Sequence, residues 1–277
     1  MGGIRWDIFC NVVDHYGDIG VSWRLARQLV AEYALEVRLW VDDLATFHHL
    51  CTAVDPAADA QHIEGVGIRR WRADADFHDA AAVVIEAFGS RIPEAYLALM
   101  AARTPAPVWV NLEYLSAEGW IEECHGGASP QPRLPLTKYF FFPGFTAATG
   151  GVLCEKDLES QRRLELAERA PRPGAGAVTT VSLFGYGGPA VGSLLEAWAN
   201  GAESVLALVP ESRILPDVTR FFGAAAAPGQ RLEQGSVAAL ILPFQPLDQY
   251  DRLLWTCDCN FVRGEDSFVR AQWARRP

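Results

Sequence analysis

The chain is expected to fold as α/β, in two Rossmann-like doubly wound domains facing across a cleft. Three observations predict this. Strand and helix signals alternate through the first half, the strands are near-continuous apolar runs, and the alternation restarts in the second half after a polar interlude. A length of 277 residues suits two domains of ~100–150 residues each. Their expected bounds are 1–155 and 156–277.

The first strand is "IRWDIFCNVV", followed by a helix over "IGVSWRLARQLVAEYA" with Val21, Leu25 and Leu29 on one face. "EVRLWV" is the second strand, ended by Asp42 and Asp43. Later come strand "AAVVIEAF", a helix around "PEAYLALMAAR" and strand "APVWVNLEY". After "KYFFFPGF" a polar helix, "EKDLESQRRLELAERA", leads into "PRPGAGA", the best linker candidate because Pro and Gly punctuate both its ends. The second half then reads strand "VTTVSLF", turn "GYGGP", helix "AVGSLLEAWA", strand "SVLALV" and strand "VAALILPF". Helix "LDQYDRLLWTC", a short strand "NFVR" and the helix start "GEDSFVRAQWARRP" complete it. The chain stops inside that last amphipathic pattern, which reads as a truncated second domain.

Half of the residues are hydrophobic and 21% are charged, a globular composition. The net charge of −10 argues against a general nucleic-acid binder, which needs a positive surface, but leaves room for a basic pocket for one phosphorylated ligand. No run of ~18 apolar residues is present, and the N-terminus reads as a strand rather than a signal peptide. The expected location is the cytoplasm, with no membrane partner. Six cysteines show no CxxC pair and read as buried free thiols. No metal site is expected, and the DxD at 74–76 lies in a polar stretch with no strand before it.

Three stretches sit where a doubly wound domain places its binding loops, at strand ends followed by helix N-termini. In "FCNVVDHYGDIG", Asp18 caps the helix and Asp14 and Gly17 form a turn, or the two acids receive a cationic or hydroxylic acceptor with one as general base. In "LFGYGGP", the glycines make a plain tight turn or a phosphate loop, and Phe184 and Tyr186 offer flat faces to a base or sugar. In "NFVRGEDSFVRAQWA", Asp266 or Ser267 caps a helix beside a surface arginine. Alternatively, Arg263, backbone N–H groups and the helix dipole hold a pyrophosphate. Glu265 then repels phosphate and turns toward sugar hydroxyls.

These three stretches, with "VRLWVDDL", "VWVNLEYLSAEGWIEECH" and "KYFFFPGFT", strongly resemble the protein-arginine rhamnosyltransferases that modify bacterial translation elongation factor P. The likeness spans essentially the whole chain. It implies a GT-B glycosyltransferase that transfers rhamnose from dTDP-β-L-rhamnose to an arginine side chain of elongation factor P. It further implies inversion without a metal or other cofactor, and a product that relieves ribosomes stalled at polyproline. The first domain would receive the acceptor protein and the second the nucleotide sugar. Family members continue past "RAQWARRP", so the resemblance also implies that the end of the donor domain is missing.

Carried onto this sequence, the resemblance implies Asp18 as general base and Asp14 as the other essential acid of the acceptor site. Glu265 would be a third acid on which activity depends. Phe184, Tyr186, Phe244, Arg263, Glu265, Asp266 and Ser267 would surround the donor. Leu247 stands where related sequences often carry a base-reaching glutamine, so thymine recognition would rest on backbone and Phe244. The chemistry fits, since two carboxylates can grip a guanidinium and one can take a proton as the C–N bond forms. The alternatives are another GT-B transferase with a different sugar or acceptor, and a catalytically silent module that binds the factor.

Overall fold

The computed structural model describes residues 4–13, 16–72, 75–168 and 178–277. The chain divides into two compact units, 1–155 and 156–277. The linker candidate "PRPGAGA", residues 171–177, lies outside the described residues.

The first unit runs β1 (Arg5–Cys10), α1 (Gly17–Tyr33), β2 (Glu36–Val41), α2 (Leu44–Leu50), β3 (Ala60–Ile63), β4 (Val66–Arg70) and β5 (Val83–Ala87). It continues with α3 (Glu94–Ala102), β6 (Val108–Leu112), α4 (Ile121–Cys124), β7 (Ala128–Pro130) and β8 (Thr137–Phe141). The eight strands form one sheet in the order β3-β4-β2-β1-β5-β6-β8-β7. The inner pairs are all parallel, and antiparallel pairs close both edges, β3 on β4 and β7 on β8. From β1 the order runs one way through β2 and β4 and the other way through β5, β6 and β8. The winding therefore reverses between β1 and β5, where the loops leaving the strands part and open a crevice.

The second unit runs α5 (Leu158–Glu168), β9 (Val178–Leu183), α6 (Pro189–Ala199), β10 (Ser204–Pro210), α7 (Leu215–Phe222), β11 (Arg231–Gln234) and β12 (Val237–Leu242). It ends with α8 (Leu247–Thr256), β13 (Cys259–Phe261) and α9 (Glu265–Ala274). Its sheet has the order β11-β12-β10-β9-β13, parallel except for the β11 edge. Here the winding reverses between β9 and β13. Both units thus begin their sheet with the strand beside the reversal.

Alternate residues of each strand face opposite sides, so the strands feed two apolar layers. One layer of the first unit gathers Phe9, Trp40, Trp71, Val84, Tyr96, Met100 and Trp109. Phe9 lies parallel to Trp40 at 5.7 Å and edge-on to Tyr96 at 4.7 Å. The same layer holds Asp7, which is fully buried. It accepts from Arg38 Nε and Nη2 at 2.7 and 2.6 Å and from the Tyr96 hydroxyl. Burial and the adjacent carboxylate push the Tyr96 hydroxyl pKa upward, which keeps it a donor. The second unit packs Val181, Leu183, Leu195, Val205, Val209, Val218 and Ile241 between its sheet and helices.

Several elements differ from the sequence expectation. In α1 Val21 is buried together with Ile19, Trp23 and Ala26, whereas Leu25 and Leu29, on the same face as Val21, are half-buried. As the expected bounds imply, the polar interlude lies in the second unit as α5, where Leu158 joins α8 and α9 in one apolar cluster. The β3–β4 hairpin escapes a periodicity reading since its strands are short and β4 contains glycine; β4 therefore does precede the stretch around Asp76. The thiols are not uniformly buried: Cys10 and Cys257 are, whereas Cys124 and Cys154 are exposed. None of the described helices is long and apolar enough to cross a membrane.

Helix α9 is tied to α8 by a buried ion pair. Arg270 Nε and Nη2 donate to the two oxygens of Asp251 at 3.0 and 2.7 Å, and both side chains are nearly solvent-free. Removing one partner strands the other charge out of water. Asp251→Ala should therefore cost about 3–5 kcal/mol of unfolding free energy. A urea midpoint unchanged from wild type would contradict that assignment.

Candidate functional site

In the first unit the polar groups collect where the winding reverses. Past β1 the chain is held by side chains from neighbouring strand ends. Asn11 N–H donates to Ser90 Oγ at 2.9 Å, while Val12 N–H and the Asn11 amide both donate to Asp42 at 2.9 Å. Asp18 lies in the first turn of α1, 1% exposed, where the helix dipole favours a negative charge. Its Oδ2 accepts from Val13 N–H at 2.9 Å and its Oδ1 from the Tyr114 hydroxyl at 3.0 Å. A buried carboxylate needs such donors to remain out of water.

This corrects the capping alternative. Tyr16 is the N-cap of α1 and no side chain caps it, whereas Asp18 is the second residue of the helix and reaches backward across the turn to Val13 N–H. Gly17 is the first residue of α1, in helical backbone rather than a positive-φ turn. Asp14 lies outside the described residues.

In the second unit Phe184, Tyr186, Arg263 and Ser267 come together at the β9/β13 reversal. Phe184 N–H bonds the Phe261 carbonyl at 3.1 Å, which joins the two strand ends. The Arg263 guanidinium carbon lies 5.0 Å from the Phe184 ring centroid and 4.6 Å from that of Tyr186. Two cation–π contacts therefore orient it. The rings expected to receive a base or sugar also hold the arginine. Phe184 is backed edge-on by buried Tyr250 at 5.5 Å, whereas Tyr186 is 56% exposed. Arg263 Nε is buried without a hydrogen-bond partner among the described residues, a donor suited to an anionic oxygen.

Neither Asp266 nor Ser267 caps α9. Gly264, with φ 72°, is the N-cap and carries no side chain to take the helix N–H groups. Ser267 sits in the first turn, accepts from Arg263 N–H at 3.2 Å and donates to the Arg263 carbonyl, so it clamps the arginine backbone. Glu265 and Asp266 occupy the first turn beside the helix dipole. Phe244 is half-buried in the loop after β12, at the same end of the sheet but two strands from β9. Leu247 begins α8 and is buried, so its contribution is packing.

The glycine turn before α6 has a different tenant. Gly188 N–H donates to Asp217 Oδ2 at 2.7 Å, and a Cβ at Gly187 would come within 2.8 Å of the same oxygen. The tenant carboxylate of α7 thus occupies this helix N-terminus, which speaks against a phosphate loop here. Both helix starts beside β9 have a glycine N-cap without a side-chain cap, and at α6 Asp217 from α7 takes the Gly188 N–H. The partners Tyr114, Ser90, Asp42 and Asp217 have no local sequence signal, although Asp42 and Tyr114 fall inside the stretches that carry the resemblance. Among the described residues no group of three or more His, Cys, Asp or Glu is placed to hold a metal ion.

Two parallel α/β units, each with a polar constellation where its winding reverses, place the chain in the Rossmann-like class of doubly wound folds. The family model described as Elongation-Factor P (EF-P) rhamnosyltransferase EarP matches residues 6–277. The chain belongs to this family of glycosyltransferases. It is 49% identical to the protein-arginine rhamnosyltransferase of Pseudomonas putida over 98% of this chain and 74% of that protein. The counterpart from Pseudomonas aeruginosa is 48% identical over 98% and 75%. A solved structure presented as the structural basis for EarP-mediated arginine glycosylation of translation elongation factor EF-P aligns with TM-score 0.60 and 34% identity. That alignment covers 99% of this chain and 71% of the other.

The Gly188 N–H and the Arg220 guanidinium hold the Asp217 carboxyl below the ordinary carboxylate pKa. A pKa lowered by folding contributes stability above the unfolded value, and that stability is lost as pH falls through the folded one. Asp217→Asn should thus be less stable than wild type near neutrality, with the gap closing below about pH 4. A gap independent of pH in acid titrations of unfolding would contradict this.

Proposed function

We propose that the protein is an inverting, metal-independent glycosyltransferase moving rhamnose from dTDP-β-L-rhamnose to an arginine of elongation factor P. The first unit would take the acceptor protein and the second the nucleotide sugar, and the product would support rescue of ribosomes stalled at polyproline. One observation carries the reading: the Arg263 guanidinium, steadied by Phe184 and Tyr186 beside the uncapped start of α9. A fixed cation and a helix N-terminus are what a leaving nucleoside diphosphate requires. The names of the relatives supply the acceptor and the sugar.

The residues divide the reaction between them. A guanidinium nitrogen of the acceptor attacks the anomeric carbon as the bond from that carbon to the diphosphate oxygen breaks. The leaving group keeps the electron pair, and the attacking nitrogen gives its proton to Asp18. Attack opposite the leaving group inverts the centre in one displacement. Asp18 is suited to the task because its carboxylate is held in place by Val13 N–H and the Tyr114 hydroxyl. Arg263 and the α9 N-terminus take up the charge that develops on the diphosphate. Asp14 would share the grip on the planar cation, and Glu265 would turn to sugar hydroxyls.

Incubating the protein with dTDP-β-L-rhamnose and elongation factor P should add one deoxyhexose to an arginine, read by mass spectrometry. Asp18→Asn should lower transfer by roughly a hundredfold or more while dTDP-rhamnose binding stays near wild type. Transfer at the wild-type rate by that variant would remove Asp18 as the base. Arg263→Ala should weaken donor binding by about ten- to hundredfold in calorimetry. Unaltered donor affinity would refute the phosphate role.

A further inference from the structure

We propose that Tyr114 serves the acceptor arginine twice: its hydroxyl positions Asp18, and the exposed part of its ring takes the acceptor guanidinium. This rests on the acceptor assignment made above. Tyr114 lies just beyond β6, far from Asp18 in sequence, yet its hydroxyl donates to Asp18 Oδ1 at 3.0 Å. Asp18 is 1% exposed while Tyr114 is 44% exposed. The buried carboxylate is therefore bonded to the tip of a ring that solvent, or a ligand, can reach.

The ring is also braced. Phe88 stacks on Tyr114 at 4.7 Å with an interplanar angle of 23°. Phe88 follows β5 with φ 55°, a left-handed backbone that a bulky residue rarely adopts, and its N–H is bonded to the Leu112 carbonyl at 2.7 Å. Strain of this kind persists where the surroundings demand it and gathers at functional sites. Here it sets the ring beyond β5 against the ring beyond β6, on one side of the β1/β5 reversal.

A guanidinium is planar, stays charged, and stacks on aromatic faces while its edge donates hydrogen bonds. Lying on Tyr114, it would find a carboxylate one hydrogen bond from the ring's edge. A primary alcohol acceptor would gain nothing from the ring face. Tyr114 is thus a positioning residue through its hydroxyl and an acceptor-binding residue through its ring.

The two roles separate by substitution. Tyr114→Phe keeps the ring and the stack but loses the bond to Asp18, so kcat should fall roughly tenfold or more with the Kd for elongation factor P unchanged. Tyr114→Leu loses both, so the Kd for the unmodified factor should also rise, by roughly tenfold. Donor affinity should match wild type in both variants, and circular dichroism and a cooperative unfolding transition at the wild-type midpoint report that the first unit is folded. A wild-type kcat in Tyr114→Phe would overturn the positioning role, and wild-type affinity for the factor in Tyr114→Leu would overturn the ring contact. If Tyr114→Leu does not fold, Tyr114→Trp, which restores an aromatic face without the hydroxyl, should bind the factor; loss of binding there would count against the ring. Binding by wild type without transfer would sink the proposed activity but leave the ring decided by the Kd values. No binding of the factor by wild type would end both.

Discussion

A parallel sheet wound in both directions from a central strand cannot close the gap at its own reversal. Right-handed crossovers carry the chain to one face on one side of that strand and to the opposite face on the other. The loops leaving the two adjacent strands must therefore diverge, and backbone groups past the ladder turn to side chains for partners. The first unit meets this constraint between β1 and β5, the second between β9 and β13. Everything of chemical interest in either unit follows from how those exposed strand ends are satisfied.

The two units satisfy them differently. In the first, acidic and hydroxyl side chains bind the chain leaving β1: Asp42 holds Asn11 and Val12, Ser90 holds Asn11, and Asp18 holds Val13. The result is a carboxylate fixed from two sides and withdrawn from water. In the second, the strand end is braced by aromatic rings that carry a cation, and Ser267 bonds the backbone of that cation's own residue. One reversal presents a buried carboxylate and the other a guanidinium of fixed positive charge.

Electrostatics also separates the two helix starts beside β9. A helix N-terminus attracts whichever anion reaches it first, and for α6 that anion is internal, Asp217 from α7. Helix α9 begins at a glycine in a left-handed conformation that has no side chain to offer. The buried Asp251–Arg270 pair fixes α9 against α8 from behind, which keeps its first turn in place.

Much of this could be read along the chain. The apolar runs, their alternation with helices and the long stretches around Asp18, Phe184 and Arg263 are local patterns, since period and spacing depend on near neighbours only. Those patterns located the strand ends, the division into two units and the residues that carry charge. The capping alternative they left open for Asp18, Asp266 and Ser267 does not hold, because the residue that starts a helix depends on the preceding loop, and the N-caps are Tyr16 and Gly264. Tyr114 against Asp18, Asp217 against Gly188 and Arg263 over Phe184 pair residues far apart in the chain. Sheet order alone sets which strand ends become neighbours, so the sequence by itself determined which groups exist and the tertiary structure decided which of them touch.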